Sequence, residues 1–183
     1  MITKILIGAA ILVVLLLIVI ASRPTHFRYT RSTKIAAPPA TVFGLVNDFH
    51  RWQVWSPWEK LDPNLQRTFE GPTSGIGAVY AWVGDKNVGE GRMTLIESRP
   101  NERIGLKLEF FKPFVATNSA DFVFKQVGDQ TEVTWSMEGD YNFVTKAIGL
   151  VMNMEKMCGG QFAEGLANMK QIAESESKVV AQR

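Results

Sequence analysis

The chain has 183 residues, 46% of them hydrophobic, with 20 Lys and Arg against 18 Asp and Glu and a formal net charge of +2. Setting aside Lys4 and Arg23 leaves eighteen basic residues against eighteen acids from Pro24 onward, which excludes the concentrated basic footprint of a nucleic-acid-binding domain. One cysteine, Cys158, excludes an intrachain disulfide and any zinc-ligand spacing.

Residues 5–21 are an unbroken run of Ile, Leu, Val, Ala and Gly. Seventeen such residues reach the lower limit of the roughly 17–25 needed to cross a bilayer, so a membrane helix is expected over residues 1–23. An uncleaved anchor is preferred to a signal peptide, because the run exceeds the about 7–15 residues of a signal-peptide core. Lys4 ahead of the run, and Val19 and Ala21 before Ser22, keep cleavage open as the alternative. Arg23, Arg28, Arg31 and Lys34 follow the span with no acid before Asp48. The positive-inside rule then puts the large domain on the cytoplasmic side; a cleaved or inverted segment would make it periplasmic or secreted. This basic link, residues 24–34, is also suited to lie near anionic headgroups.

Beyond the span, residues 27–35 alternate as a strand. Ala37, Pro38 and Pro39 end it, and proline suits the first turn of a following helix over residues 40–48. A short helix or turn over residues 49–55 stops at Pro57. Six more strands are expected at residues 64–71, 78–83, 88–98, 103–110, 116–125 and 132–139. Residues 103–110 alternate most clearly, with Ile104, Leu106, Leu108 and Phe110 opposite Arg103, Lys107 and Glu109. Period two with one apolar face is the mark of an antiparallel sheet covered on one side.

Residues 143–177 then carry apolar side chains at helical spacing in two stripes. Phe143, Ala147, Ile148, Val151 and Met152 form the first, and Phe162, Leu166, Met169 and Ile172 the second. Gly159 and Gly160 divide them. Each costs about 1 kcal/mol against alanine in a helix, which predicts a kink or break at residues 158–160. The polar tail, residues 175–183, is expected to fray. The whole is an α+β arrangement in which one sheet bends around one helix.

Several segments resemble the START-like superfamily, also called SRPBCC and including polyketide cyclase/dehydrase-like proteins. They are Ile35-Ala36-Ala37-Pro38-Pro39-Ala40-Thr41-Val42-Phe43; Asn47-Asp48-Phe49 with Trp52 and Trp55-Ser56-Pro57-Trp58; Gly89-Glu90-Gly91-Arg92-Met93; Thr131-Glu132-Val133-Thr134-Trp135; and Gln161-Phe162 to Gly165-Leu166 with Met169-Lys170. The resemblance covers residues 27–174. It implies a helix-grip fold, a seven-stranded curved antiparallel sheet around a long C-terminal helix, with a cavity for an apolar ligand between them. It carries over no universal catalytic residue.

The inward strand phases nominate a ligand cavity lined by Tyr80, Trp82, Met93, Leu106, Leu108, Phe110, Phe122, Phe124, Trp135 and Met137, with Met152, Phe162 and Leu166 from the closing helix. Ordinary core packing predicts the same pattern. Trp52, Trp55 and Trp58 are placed as core and rim residues, with a pocket entrance or the membrane surface as alternatives. Of Glu90, Glu109, Asp121 and Glu138, most fall on the solvent phase. His26 and His50 have no metal-ligand partners at the required spacing, so no metal and no cofactor is expected. Cys158 lacks an activating neighbour. The expected function is a membrane-anchored domain, held through residues 5–21, that binds a small hydrophobic molecule or lipid. A cyclase-like enzyme acting on a hydrophobic or aromatic substrate, and a packed protein-interaction domain, are the alternatives.

Overall fold

Strands with one apolar face need a cover, and the chain provides a single long helix to supply it. The computed structural model describes residues 1–181. Its first helix, α1 (Ile2–Ser22), is joined by residues 23–25 to β1 (His26–Ile35). α2 (Pro39–Asn47) follows, starting on a proline as its sequence requires. A 3-10 turn (Phe49–Arg51), the short helix α3 (Trp52–Trp55) and a second 3-10 turn (Pro57–Lys60) come next. Then β2 (Gln66–Glu70), β3 (Val79–Val83), β4 (Glu90–Arg99), β5 (Arg103–Lys112), β6 (Ala116–Val127) and β7 (Gln130–Asp140) run consecutively. The chain ends in α4 (Phe143–Ile148) and α5 (Met154–Ala181).

All seven strands form one antiparallel sheet in the order β1-β7-β6-β5-β4-β3-β2. The helix-grip α+β fold expected from the sequence is the fold observed. Two register shifts between β4 and β5, at Glu90/Gly91 and Leu95/Glu97, bend the sheet. A methyl at Gly91 would run into the Glu109 carbonyl oxygen and the Trp82 ring, so that glycine lets Trp82 lie across the bent strand.

The concave face packs on α2, α3 and α5. Val42, Leu45, Val46, Phe49, Trp55, Phe122, Leu166 and Met169 are all essentially inaccessible to solvent. Full burial of such side chains contributes about 1.5–3 kcal/mol each. Trp52 and Trp55 are tied down at their polar ends too, their indole N–H groups donating to the Val46 and Leu45 carbonyls at 2.9 Å. The alternative that placed the tryptophans at a membrane surface is therefore corrected for Trp52 and Trp55. They are core.

Polar contacts fix α5 along its length. The Ala36 N–H donates to Glu174 at 2.9 Å, Lys170 donates to the Lys34 carbonyl at 2.9 Å, and Asn168 donates to the Trp55 carbonyl at 3.1 Å. Arg51 also pairs with Glu176. α5 continues as helix through Ala181, into the stretch expected to fray. Gln182 and Arg183 lie outside the described residues.

The expected break at residues 158–160 is also corrected. α5 runs unbroken through Gly159 and Gly160, and the interruption falls at residues 149–153. The Asn153 carboxamide accepts from the Lys156 N–H at 2.9 Å and starts α5 there. Gly159 has a different purpose, because the Arg31 guanidinium occupies the space a side chain would need. The first apolar stripe therefore falls on α4 and the segment after it, apart from the second stripe on α5. α4 lies against the end of α1, where Ile20 is buried, while Phe143 stays 50% exposed and Val151 86%.

Met169 sits at the centre of the helix–sheet contact with no exposure. Met169→Ala is expected to lower unfolding free energy by about 2–5 kcal/mol, whereas exposed Val179→Ala changes it by less than about 0.5 kcal/mol. Urea unfolding of the chain in mild detergent, followed by tryptophan fluorescence, measures both.

Candidate functional site

α5 presses closely on the sheet in its middle, where Phe162 stacks on Trp135 with ring centroids 4.2 Å apart and planes 6° from parallel. Toward its start the helix leaves the sheet, and a cavity of about 380 Å³ opens between them. The strand side of the lining includes Tyr80 and Trp82 from β3, Met93 from β4, Leu106, Leu108 and Phe110 from β5, Ala120 from β6, and Trp135 and Met137 from β7. Met154, Met157, Cys158 and Phe162 form the helix side, and Trp52, Ser56, Trp58 and Glu59 one end. Open space here sets aside the solid-core alternative.

Nine of the thirteen residues nominated from sequence line this space: Tyr80, Trp82, Met93, Leu106, Leu108, Phe110, Trp135, Met137 and Phe162. The other four do not. Phe122, Phe124 and Leu166 belong to the packed core behind it. Met152 lies outside on the segment between α4 and α5, because the helix break turns it away.

One end of the cavity is charged. Glu59 has a side chain only 5% exposed, and both its carboxylate oxygens are engaged. Arg67 Nε donates to Oε2 at 2.6 Å, and the Tyr80 hydroxyl donates to Oε1 at 2.6 Å. Nη1 also donates to the Leu65 carbonyl at 2.9 Å and Nη2 to the Glu59 carbonyl at 3.4 Å. Burial, then the neighbouring Glu59 carboxylate, pushes the Tyr80 phenol well above its ordinary value. Three of the five guanidinium N–H groups and the Tyr80 hydroxyl hydrogen are thus engaged within the cluster. Lone pairs remain on Glu59 and on the Tyr80 oxygen, so this end of the cavity can accept hydrogen bonds.

This ion pair escaped the sequence reading. Glu59 and Arg67 lie on a 3-10 turn and on β2, eight residues apart, and only the fold joins them. The one available signal was an acid directly after a run of tryptophans. The strand acids do lie on the outer face: Glu109 pairs with Arg92 at 2.8 Å, Glu138 with Arg28 at 2.9 Å, and Glu90 with Lys112 at 2.6 Å. Burial pushes the Cys158 thiol up, which disfavours a thiolate.

A family profile described as polyketide cyclase / dehydrase and lipid transport matches residues 26–174. The chain belongs to that family. No curated protein matches its sequence. Among solved structures of the same fold, protein CV1439 from Chromobacterium violaceum is 14% identical, with 83% of this chain and 99% of that one superposed at a TM-score of 0.58. The Aha1 dimer from Colwellia psychrerythraea is 15% identical over 81% and 96%, at 0.57. The di-domain ARO/CYC protein BexL of the BE-7585A biosynthetic pathway is 17% identical over 85% of this chain and 52% of its own length, at 0.61. At these identities the likeness is one of fold. The family membership of this chain accounts for a sheet–helix cavity; the Glu59–Arg67–Tyr80 cluster is read from its own residues.

The raised phenol has a consequence at alkaline pH. Its folded value exceeds the unfolded one, so its contribution to stability is complete below about pH 10 and is lost as pH rises toward the folded value. In ultraviolet titration Tyr80 is expected to ionise late, together with Tyr29, whose phenol is raised by burial and by its hydrogen bond to the Tyr141 hydroxyl. Tyr80→Phe should remove one late phenol from the curve over the range in which circular dichroism is constant. An unchanged curve contradicts the assignment.

Proposed function

We propose that the domain holds a small hydrophobic molecule carrying a hydroxyl or other hydrogen-bond donor, and that α1 keeps it at a membrane. The observation that carries this reading is a largely apolar cavity with the Glu59 carboxylate and the Tyr80 oxygen at one end as hydrogen-bond acceptors. A volume of about 380 Å³ is near the small end of the roughly 300–1,000 Å³ found for ligand sites. It suits a compact ring system or a short single chain better than a two-chain lipid. Trp135, Trp82, Phe110 and Phe162 supply flat apolar surface, and Met93, Met137, Met154 and Met157 supply walls that adapt to shape.

Membrane attachment is supported by the composition of α1, which is long and apolar enough to cross a bilayer and has a mean hydropathy of 3.2. The family description includes lipid transport, which agrees with a hydrophobic cargo. Binding is favoured over turnover because Glu59, the acid at the cavity end, already shares both oxygens with Arg67 and Tyr80.

The chain purified in mild detergent is expected to carry a hydrophobic, hydroxyl-bearing molecule, seen as added mass in native mass spectrometry and identified after solvent extraction. Ala120→Phe fills the cavity from β6, and should weaken rebinding by about tenfold or more while the chain stays folded. Methylating the ligand hydroxyl should weaken it by about tenfold or more as well, the value of a hydrogen bond to a charged group. Equal binding by the methyl ether removes the polar-end assignment, and equal binding by a folded Ala120→Phe protein removes the cavity.

A further inference from the structure

A second recess, of about 550 Å³, lies across Met154 from the cavity, at the point where α1 meets α4. Arg23, Pro24, Tyr29, Tyr141, Lys146 and residues 149–155 contribute to its wall. Two cations face it. Arg23 donates to the Gly149 carbonyl at 3.1 Å, and Lys146 donates to the Thr25 hydroxyl at 2.9 Å. Among the described residues neither has a carboxylate within 4.0 Å. Glu155, the acid on the rim, is occupied by Arg31 at 2.6 Å. Around these cations, Phe143, Val144, Val151 and Met152 are all half or more exposed, or nearly so.

We propose that this recess receives the headgroup phosphate of an anionic phospholipid, while Phe143, Val144, Val151 and Met152 enter the headgroup–acyl boundary beside α1. The inference rests on the reading of α1 as an anchor, which sets the recess at the level where the helix leaves the bilayer. Exposed apolar residues on α4 and the segment after it, beside two carboxylate-free cations, match the surface of an anionic membrane in both of its properties. A free anion would account for the cations but not for the apolar residues. A soluble partner would account for those residues but not for their place at the end of α1.

The test uses the full chain with Cys158→Ala, reconstituted in phosphatidylcholine vesicles with or without phosphatidylglycerol. A spin label is placed at Val151→Cys, at Phe143→Cys, or at Asp129→Cys in the β6–β7 turn. That turn is at the opposite end of β7, roughly 35 Å away by strand rise. With phosphatidylglycerol, the labels at 143 and 151 should be shielded from an aqueous relaxant and open to oxygen, and the label at 129 should be open to both. Arg23→Gln with Lys146→Gln should lower the ratio of immersed to withdrawn label about thirtyfold, as expected for two cations, and omission of phosphatidylglycerol should do the same. Labels at 143 and 151 that are as water-accessible as the label at 129 overturn the proposal. So does immersion indifferent to phosphatidylglycerol, or its reversal by inorganic phosphate. Alkaline carbonate extraction separates the two readings. A chain released from the vesicles fails as an anchored protein and takes the proposal with it; a chain retained with water-exposed labels overturns the proposal alone.

Discussion

Close approach of α5 to Trp135 is the constraint on which the rest of this structure depends. A methyl at Gly165 would sit 3.0 Å from the Trp135 ring and 3.2 Å from Pro57, so the helix backbone is already as near as packing allows. Phe162, one turn earlier, completes the contact by stacking on the same indole. Trp135 is also stacked on Phe122 and meets Trp55 and Trp58 edge-on. One ring therefore joins the sheet, the helix and the α3 region. Its surroundings are set by side chains that cannot be exchanged for smaller ones without leaving a void.

That contact also explains where the empty space lies. The helix is pinned at its middle by Phe162 and Gly165, and at its far half by Asn168, Lys170, Glu174 and Glu176. The first two turns are held only at the sheet's edge, where Glu155 pairs with Arg31 of β1 at 2.6 Å, while Met154, Met157 and Cys158 line open space. The aromatic residues of β3 and β5 hold the opposite wall away, with Trp82 set against Phe110 at 5.9 Å between centroids. The cavity is the volume left between a pinned helix and a bent sheet. Its charged end is affordable only because Glu59 enters it already neutralised by Arg67; a lone buried carboxylate would be strongly unfavourable.

Much of the fold was legible in the sequence because it rests on periodicity. Ile104, Leu106 and Phe122 point inward simply because strands alternate, and the proline pair after Ala37 starts a helix wherever the chain goes afterwards. Candidate wall residues were legible for the same reason, through the inward phases of β3, β4, β5 and β7, but not whether they enclosed open space. Periodicity does not say which inward residues meet a neighbour and which meet space, so Phe122, Phe124 and Leu166 looked the same as Trp135 and Phe162. The helix break was misplaced because two glycines suggest flexibility from sequence alone. Only in three dimensions does Gly159 appear as the seat of the Arg31 side chain, and Asn153 as the cap that begins the helix. Glu59 and Arg67 come from different elements, and nothing local joins them.

The link between α1 and β1 consists of residues 23–25. Fully extended, three residues span only about 10 Å, and here Arg23 is further held to Gly149 and Thr25 to Lys146. With α1 in a bilayer, the domain has no tether on which to travel. A domain so held would not ferry a bound molecule from one membrane to another as a soluble carrier does. Under the proposed function it would receive and release its ligand at the surface where it is fixed, and whatever carries that molecule onward would come to it.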